Sequence, residues 1–169
     1  MKRSDKRQLQ TLVSACVPIL LALASGCSAA AGPGSMVVHG KTTVFTNAYA
    51  YHHPASYDKD VIQTTILLSE KAVDMNKIKA AGGDLSKVHA WFDDNKIAYW
   101  QATFYPDGTF WSGDLISPGE LQYGGIGCDL DVTRNDAQRI EGSCRTKDEK
   151  QKEDKKEGLY VDVKFAAGF

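Results

Sequence analysis

Few residues of this chain have the type and spacing to do chemistry. Four cysteines stand at positions 16, 27, 128 and 144, and four histidines at 39, 52, 53 and 89. His52 and His53 precede Pro54 and offer two imidazoles, ligands that suit zinc or copper. Neighbours on an extended chain point to opposite faces, so a shared site there would need a turn. Asp129, Asp131, Asn135 and Asp136 could present oxygens to calcium, but the first two alternate with apolar residues as the wet face of a strand does. Gly124-Gly125-Ile126-Gly127 precedes a predicted strand and opens no helix, which argues against phosphate binding. HExxH, GxSxG, Walker A and EF-hand patterns are missing from the sequence, and no serine, histidine and acid assemble into a triad from spacing. The expectation is a protein that is not an enzyme and carries no cofactor or metal, with metal binding through His52 and His53 as a minor alternative.

An aromatic strand pair is more informative. In the predicted hairpin around Tyr105-Pro106-Asp107-Gly108-Thr109, Phe110 pairs with Phe104 and Trp111 with Thr103. Ala98, Trp100, Ala102, Phe104 and Phe110 then share an apolar face. Tyr99, Gln101, Thr103, Tyr105 and Trp111 share the opposite one, which carries large rings beside polar groups. Such a face suits a protein partner or a glycan, and it also suits a strand partly covered by a helix.

The first residues are an address. Lys2, Arg3, Lys6 and Arg7 outweigh Asp5, an uncharged apolar run spans residues 11–24, and small residues follow. That order defines a secretory signal, with an apolar run too short for a comfortable membrane span. Leu23-Ala24-Ser25-Gly26-Cys27 resembles the lipobox of bacterial lipoproteins. The resemblance implies a diacylglycerol on the Cys27 thiol, cleavage before it and acylation of the new amino group by a fatty acid such as palmitate. Ala24 stands where the family usually has leucine. Val13-Ser14-Ala15-Cys16 fits the pattern too, but leaves too few residues for an apolar run. Ser28, in place of the aspartate that retains lipoproteins at the inner membrane, implies the periplasmic face of the outer membrane. The competing expectation is ordinary cleavage near Ala29-Ala30-Ala31 and release into the periplasm.

The chain then divides into a signal peptide (1–26), a lipidated tether (27–35) and a single β-rich periplasmic domain (36–169). The whole has a formal net charge of −1; removal of residues 1–26 leaves 16 basic residues against 20 acidic, a net of −4. No basic footprint for nucleic acid exists in that balance. With Cys16 removed and Cys27 acylated, Cys128 and Cys144 are left to pair in an oxidising compartment. They flank a predicted hairpin. Centred on Asp136, it sets Cys128 opposite Cys144 and Val132 opposite Ile140, with Leu130 on the same face.

The elements that must position these residues read mostly as β. Strands are predicted over residues 42–51, 61–68, 97–105, 109–112, 128–133, 138–144 and 159–165, with a short one near 121–123. One helix is predicted over residues 75–81, capped by Asp74 and ended by Gly82-Gly83. Residues 146–157, dense in lysine and acidic residues, read as a solvated hairpin loop. The fold expected is an antiparallel β-sandwich or open barrel of seven or eight strands with one short helix. The function expected is that of a non-catalytic binding module held to the membrane by its N-terminal lipid. A protein partner in the envelope is expected, as for an inhibitor or immunity protein against a secreted toxin. A structural, housekeeping role in the envelope is the alternative.

Overall fold

The computed structural model describes residues 33–118, 123–125, 128–146 and 158–169. They form a β-sandwich of two antiparallel five-stranded sheets. The first sheet has the order β2-β1-β10-β9-β8, with β1 Gly34–Val38, β2 Lys41–Phe45, β8 Asp129–Asn135, β9 Arg139–Arg145 and β10 Leu159–Gly168. The second has the order β3-β4-β5-β6-β7, with β3 Asn47–Pro54, β4 Ile62–Ser69, β5 Tyr99–Phe104, β6 Phe110–Ile116 and the two-residue β7 Tyr123–Gly124. The class is the one expected. The described residues hold ten strands rather than seven or eight, and two helices rather than one.

Three local departures explain the difference. Residues 42–51 are not one strand: the chain leaves the first sheet after Phe45, turns at Thr46 and enters the second sheet at Asn47. Thr46 fixes that corner, its amide donating to Ser69 O (3.0 Å) and its hydroxyl to Glu70 O (2.7 Å). β1 begins at Gly34, inside the stretch read as a tether, and is held between β2 and β10. A second helix, α2 (Leu85–Asn95), follows α1 (Met75–Ala80). Each is capped by an aspartate: Asp74 Oδ1 accepts from Asn76 N at 3.0 Å, and Asp84 Oδ1 from Ser86 N at 3.1 Å.

The sandwich has two apolar layers. Between the sheets, Met36, Phe45, Ile66, Leu68, Trp100, Phe104, Val161 and Val163 are buried together. Every second residue of β10 from Val161 to Ala167 points into this layer, as the alternation of the sequence predicts. On the outer face of the second sheet, Tyr51, Leu67, Tyr99 and Ile116 are covered by Ile78 of α1 and by Val88 and Phe92 of α2. β5 is therefore buried on both faces.

Cys128 and Cys144 form a disulfide, but not as a directly opposed pair. Leu130 faces Cys144 and Val132 faces Gly142, and a register shift follows between Val132 and Arg134. The hairpin is displaced by two residues from the expected register. A two-residue slip keeps every side chain on its face, so Leu130, Val132, Ile140 and Cys144 still pack toward the core as expected.

Candidate functional site

The expected binding face is divided by the fold. Tyr99, Gln101 and Thr103 are buried under the helices and are not available to a partner. Tyr105 is half-buried and Trp111 is 42% exposed. Trp111 does not pair with Thr103 as expected: a register shift sets Ser112 there and leaves Trp111 as the extra residue at the irregularity.

Beneath the helices lies a polar belt. His53 Nδ1 is 2.9 Å from Pro54 O, an acceptor only, so this nitrogen carries the proton and donates. His53 Nε2 then accepts from the Thr65 hydroxyl at 2.8 Å, and Thr65 Oγ1 accepts from Thr103 at 2.7 Å. Nearby, Gln101 Nε2 donates to Asp114 Oδ2 at 3.0 Å. His89 Nε2 stands 3.8 Å from the same oxygen, an ion-pair distance too long for a hydrogen bond. Burial raises the Asp114 carboxyl, but His89 and the Gln101 amide outweigh it and hold it below the ordinary carboxylate range. Among the described residues, the Tyr99 hydroxyl, Gln101 Oε1 and His89 Nε2 have no hydrogen-bond partner. The opening beside His53, Gln63 and Trp111 has a volume of only about 10 Å³, too small for a substrate. The hydrogen bonds of the belt run across β3 to β6, and His89 of α2 meets it at Asp114.

His53 gives this belt a pH dependence. Burial lowers its pKa, and Lys59 and His52 add to that; the Pro54 hydrogen bond opposes them without cancelling them. Folding thus favours the neutral ring. Above the unfolded value of about 6.5 both states are neutral and stability does not change. Below it the unfolded chain takes up a proton that the folded one resists, so stability falls with pH. Urea midpoints measured from about pH 7.5 to about pH 5 should decline, and His53→Gln should flatten the decline.

His52 and His53 do not converge. They point to opposite faces of β3, and His52 Nδ1 pairs with Thr64 Oγ1 at 3.0 Å. Among the described residues no group of three or more His, Cys, Asp or Glu is placed to hold a metal ion. Asp129 and Asp131 are exposed, and Asp136 is taken up by Arg134 and by the amides of Gln138 and Arg139. Cys27 and residues 147–157 lie outside the described residues, whereas Thr146 is buried and accepts from Val161 N.

The remaining surface feature is one end of the sandwich. There the β5–β6 turn, the β8–β9 turn, the β3–β4 loop and the end of β10 come together. A cleft of about 370 Å³ separates the sheets at this end, lined by His52, Thr64, Pro106, Asp107, Gly108, Asn135, Asp136 and Ala137. Phe169 stacks on His52 at its side, with ring centroids 4.1 Å apart. Among the described residues the exposed large hydrophobic side chains are Val44, Tyr57, Ile62, Phe110, Trp111 and Phe169. All except Val44 lie at this end. Ile62 opens β4 opposite Pro54, Phe110 opens β6 opposite Phe104, and Tyr57 rests on Trp111 at 5.2 Å. Tyr105 packs edge-on against the same indole at 5.0 Å.

Aspartates hold the three turns at this end, two of which lead to these rings. Asp58 Oδ1 accepts from Asp60 N, Asp107 Oδ1 from Thr109 N, and Asp136 Oδ1 from Gln138 N and Arg139 N. The Thr109 amide lowers the Asp107 carboxyl, and Arg134 with the Gln138 amide lowers that of Asp136. Three braced turns thus present an apolar end without the cost of ordering loops on contact. Residues 105 and 111 were readable in sequence as part of a face. Tyr57, Ile62 and Phe169 were not, because only the fold brings three distant segments to one end.

No family model, no curated protein and no solved structure matches this chain. Among the described residues no helix is long and apolar enough to cross a membrane.

Proposed function

We propose that this chain is a lipid-anchored protein of the bacterial envelope that acts by binding, and that the open end of the sandwich is its contact surface. One observation carries the reading: five of the six large hydrophobic side chains exposed among the described residues gather at that end. Scattered single hydrophobics are ordinary on a protein surface, whereas their concentration at one end points to a contact there. The lipobox-like segment ending at Cys27 supports the anchor, and Ser28 supports the outer membrane, with the domain facing the periplasm. Inhibition of a secreted toxin and a structural envelope role would both use this surface.

Photo-cross-linking in intact cells tests the reading. A cross-linking residue at position 111 should give adducts, and one at position 44, exposed but remote, should not. Absence of adducts from 111, or equal adducts from both positions, would overturn it.

A further inference from the structure

The direction in which the chain enters the domain narrows what the open end touches. β1 starts at mid-height, Gly34 facing Val163 of β10, and runs away from the open end to Val38. Upstream, Pro33 O accepts from Lys164 N at 2.8 Å, so Pro33, the first described residue, lies on the open-end side of Gly34. Gly168, at that end, lies five residue steps beyond Val163 along β10, about 17 Å of strand. Gly34 follows Cys27 by seven residues, which span at most about 25 Å when extended. A lipid on Cys27 can therefore reach just beyond the open end, with little length to spare. To set the opposite end on the membrane the tether would have to double back on itself.

From this we infer that the open end docks on the lipid bilayer in which the chain is anchored, with Tyr57, Ile62, Phe110, Trp111 and Phe169 entering the headgroup region. The inference rests on the two parts of the proposed function, acylation at Cys27 and contact through the open end. Tyrosine and tryptophan favour the membrane interface, where an apolar ring and a polar tip are both accommodated. The tether keeps the end at high local concentration beside the membrane, so weak insertion suffices. The charges at this end choose the lipid. Asp58, Asp60 and Asp107 stand there against Lys59, and Arg134 is engaged by Asp136 and Glu141. An acidic rim matches zwitterionic headgroups and gives no attraction to anionic ones.

The test uses the acylated protein, purified with its lipid and reconstituted into phosphatidylcholine vesicles that carry a nitroxide near the headgroup. Mass spectrometry of the same sample shows whether Cys27 is acylated. Trp100 is in the core and Trp91 is half-buried on α2, so Trp111 is the indole placed to meet the quencher. The nitroxide should remove most of the Trp111 emission, and Trp111→Phe should abolish the quenchable part. Admixed anionic lipid should not deepen the quenching. Quenching that is absent, or unchanged by Trp111→Phe, overturns bilayer docking. If position 111 nevertheless cross-links a discrete protein in cells, the contact surface stands and its partner is that protein. If Cys27 carries no lipid, the anchor falls, and bilayer docking with it.

Discussion

Gly83→Ala is expected to destabilise the fold by about 3 kcal/mol, while Gly82→Ala next to it costs about 1. Both glycines have positive φ, +59° and +79°, so both substitutions bear the strain of a side chain in the left-handed region. Their surroundings differ. A Cβ at Gly82 meets nothing within 4 Å. A Cβ at Gly83 would drive into the Pro54 carbonyl oxygen and stand 2.7 Å from His53 Nδ1. Neither group can retreat easily, because the Pro54 carbonyl holds the His53 ring and that ring holds Thr65. The clash forces the helix pair away from the sheet or breaks the polar belt. Either outcome uncovers Tyr99, Gln101 and Thr103. Urea unfolding of the two variants reads the difference directly; equal costs would mean that the helices do not press on the end of β3.

The same junction shows why the sequence misled about the binding face. Tyr99, Gln101 and Thr103 read as a half-wet surface because their polar groups mimic exposure. In the fold Thr103 spends its hydroxyl on Thr65 and Gln101 its amide on Asp114. The helix that buries them was legible in principle: Asp84 is a cap residue, and Leu85, Val88 and Phe92 recur at helical spacing. The β class, the α1 cap at Asp74, the turn with Gly108 at φ +83° and the last strand followed from local pattern alone. Pairing of Cys128 with Cys144 also followed, since a slip of two residues leaves parity intact. What local pattern could not carry was the corner at Thr46, the packing of Tyr57 on Trp111 and the arrival of Ile62 and Phe169 at the same end of the sandwich. All three depend on which strands end together.

If the open end is a contact surface, its rings matter more to that contact than to the stability of the fold. A chain carrying Tyr57→Ser and Trp111→Ser together separates the two. Tyr57 is 53% exposed and rests on Trp111; Trp111 is 42% exposed and also meets Tyr105. Their loss should lower unfolding stability by about 2–3 kcal/mol, because each ring is about half buried, and leave the core in place. The contact should suffer far more, because the two largest rings of the surface go together. The decisive measurement is the cross-linking yield in intact cells from a photo-reactive residue at position 62, with and without the two serines, beside a urea unfolding curve of each protein. The adducts from position 62 should be lost while the protein still unfolds in one cooperative transition. Adducts undiminished by the two serines, or a fold that collapses with them, would overturn the contact role.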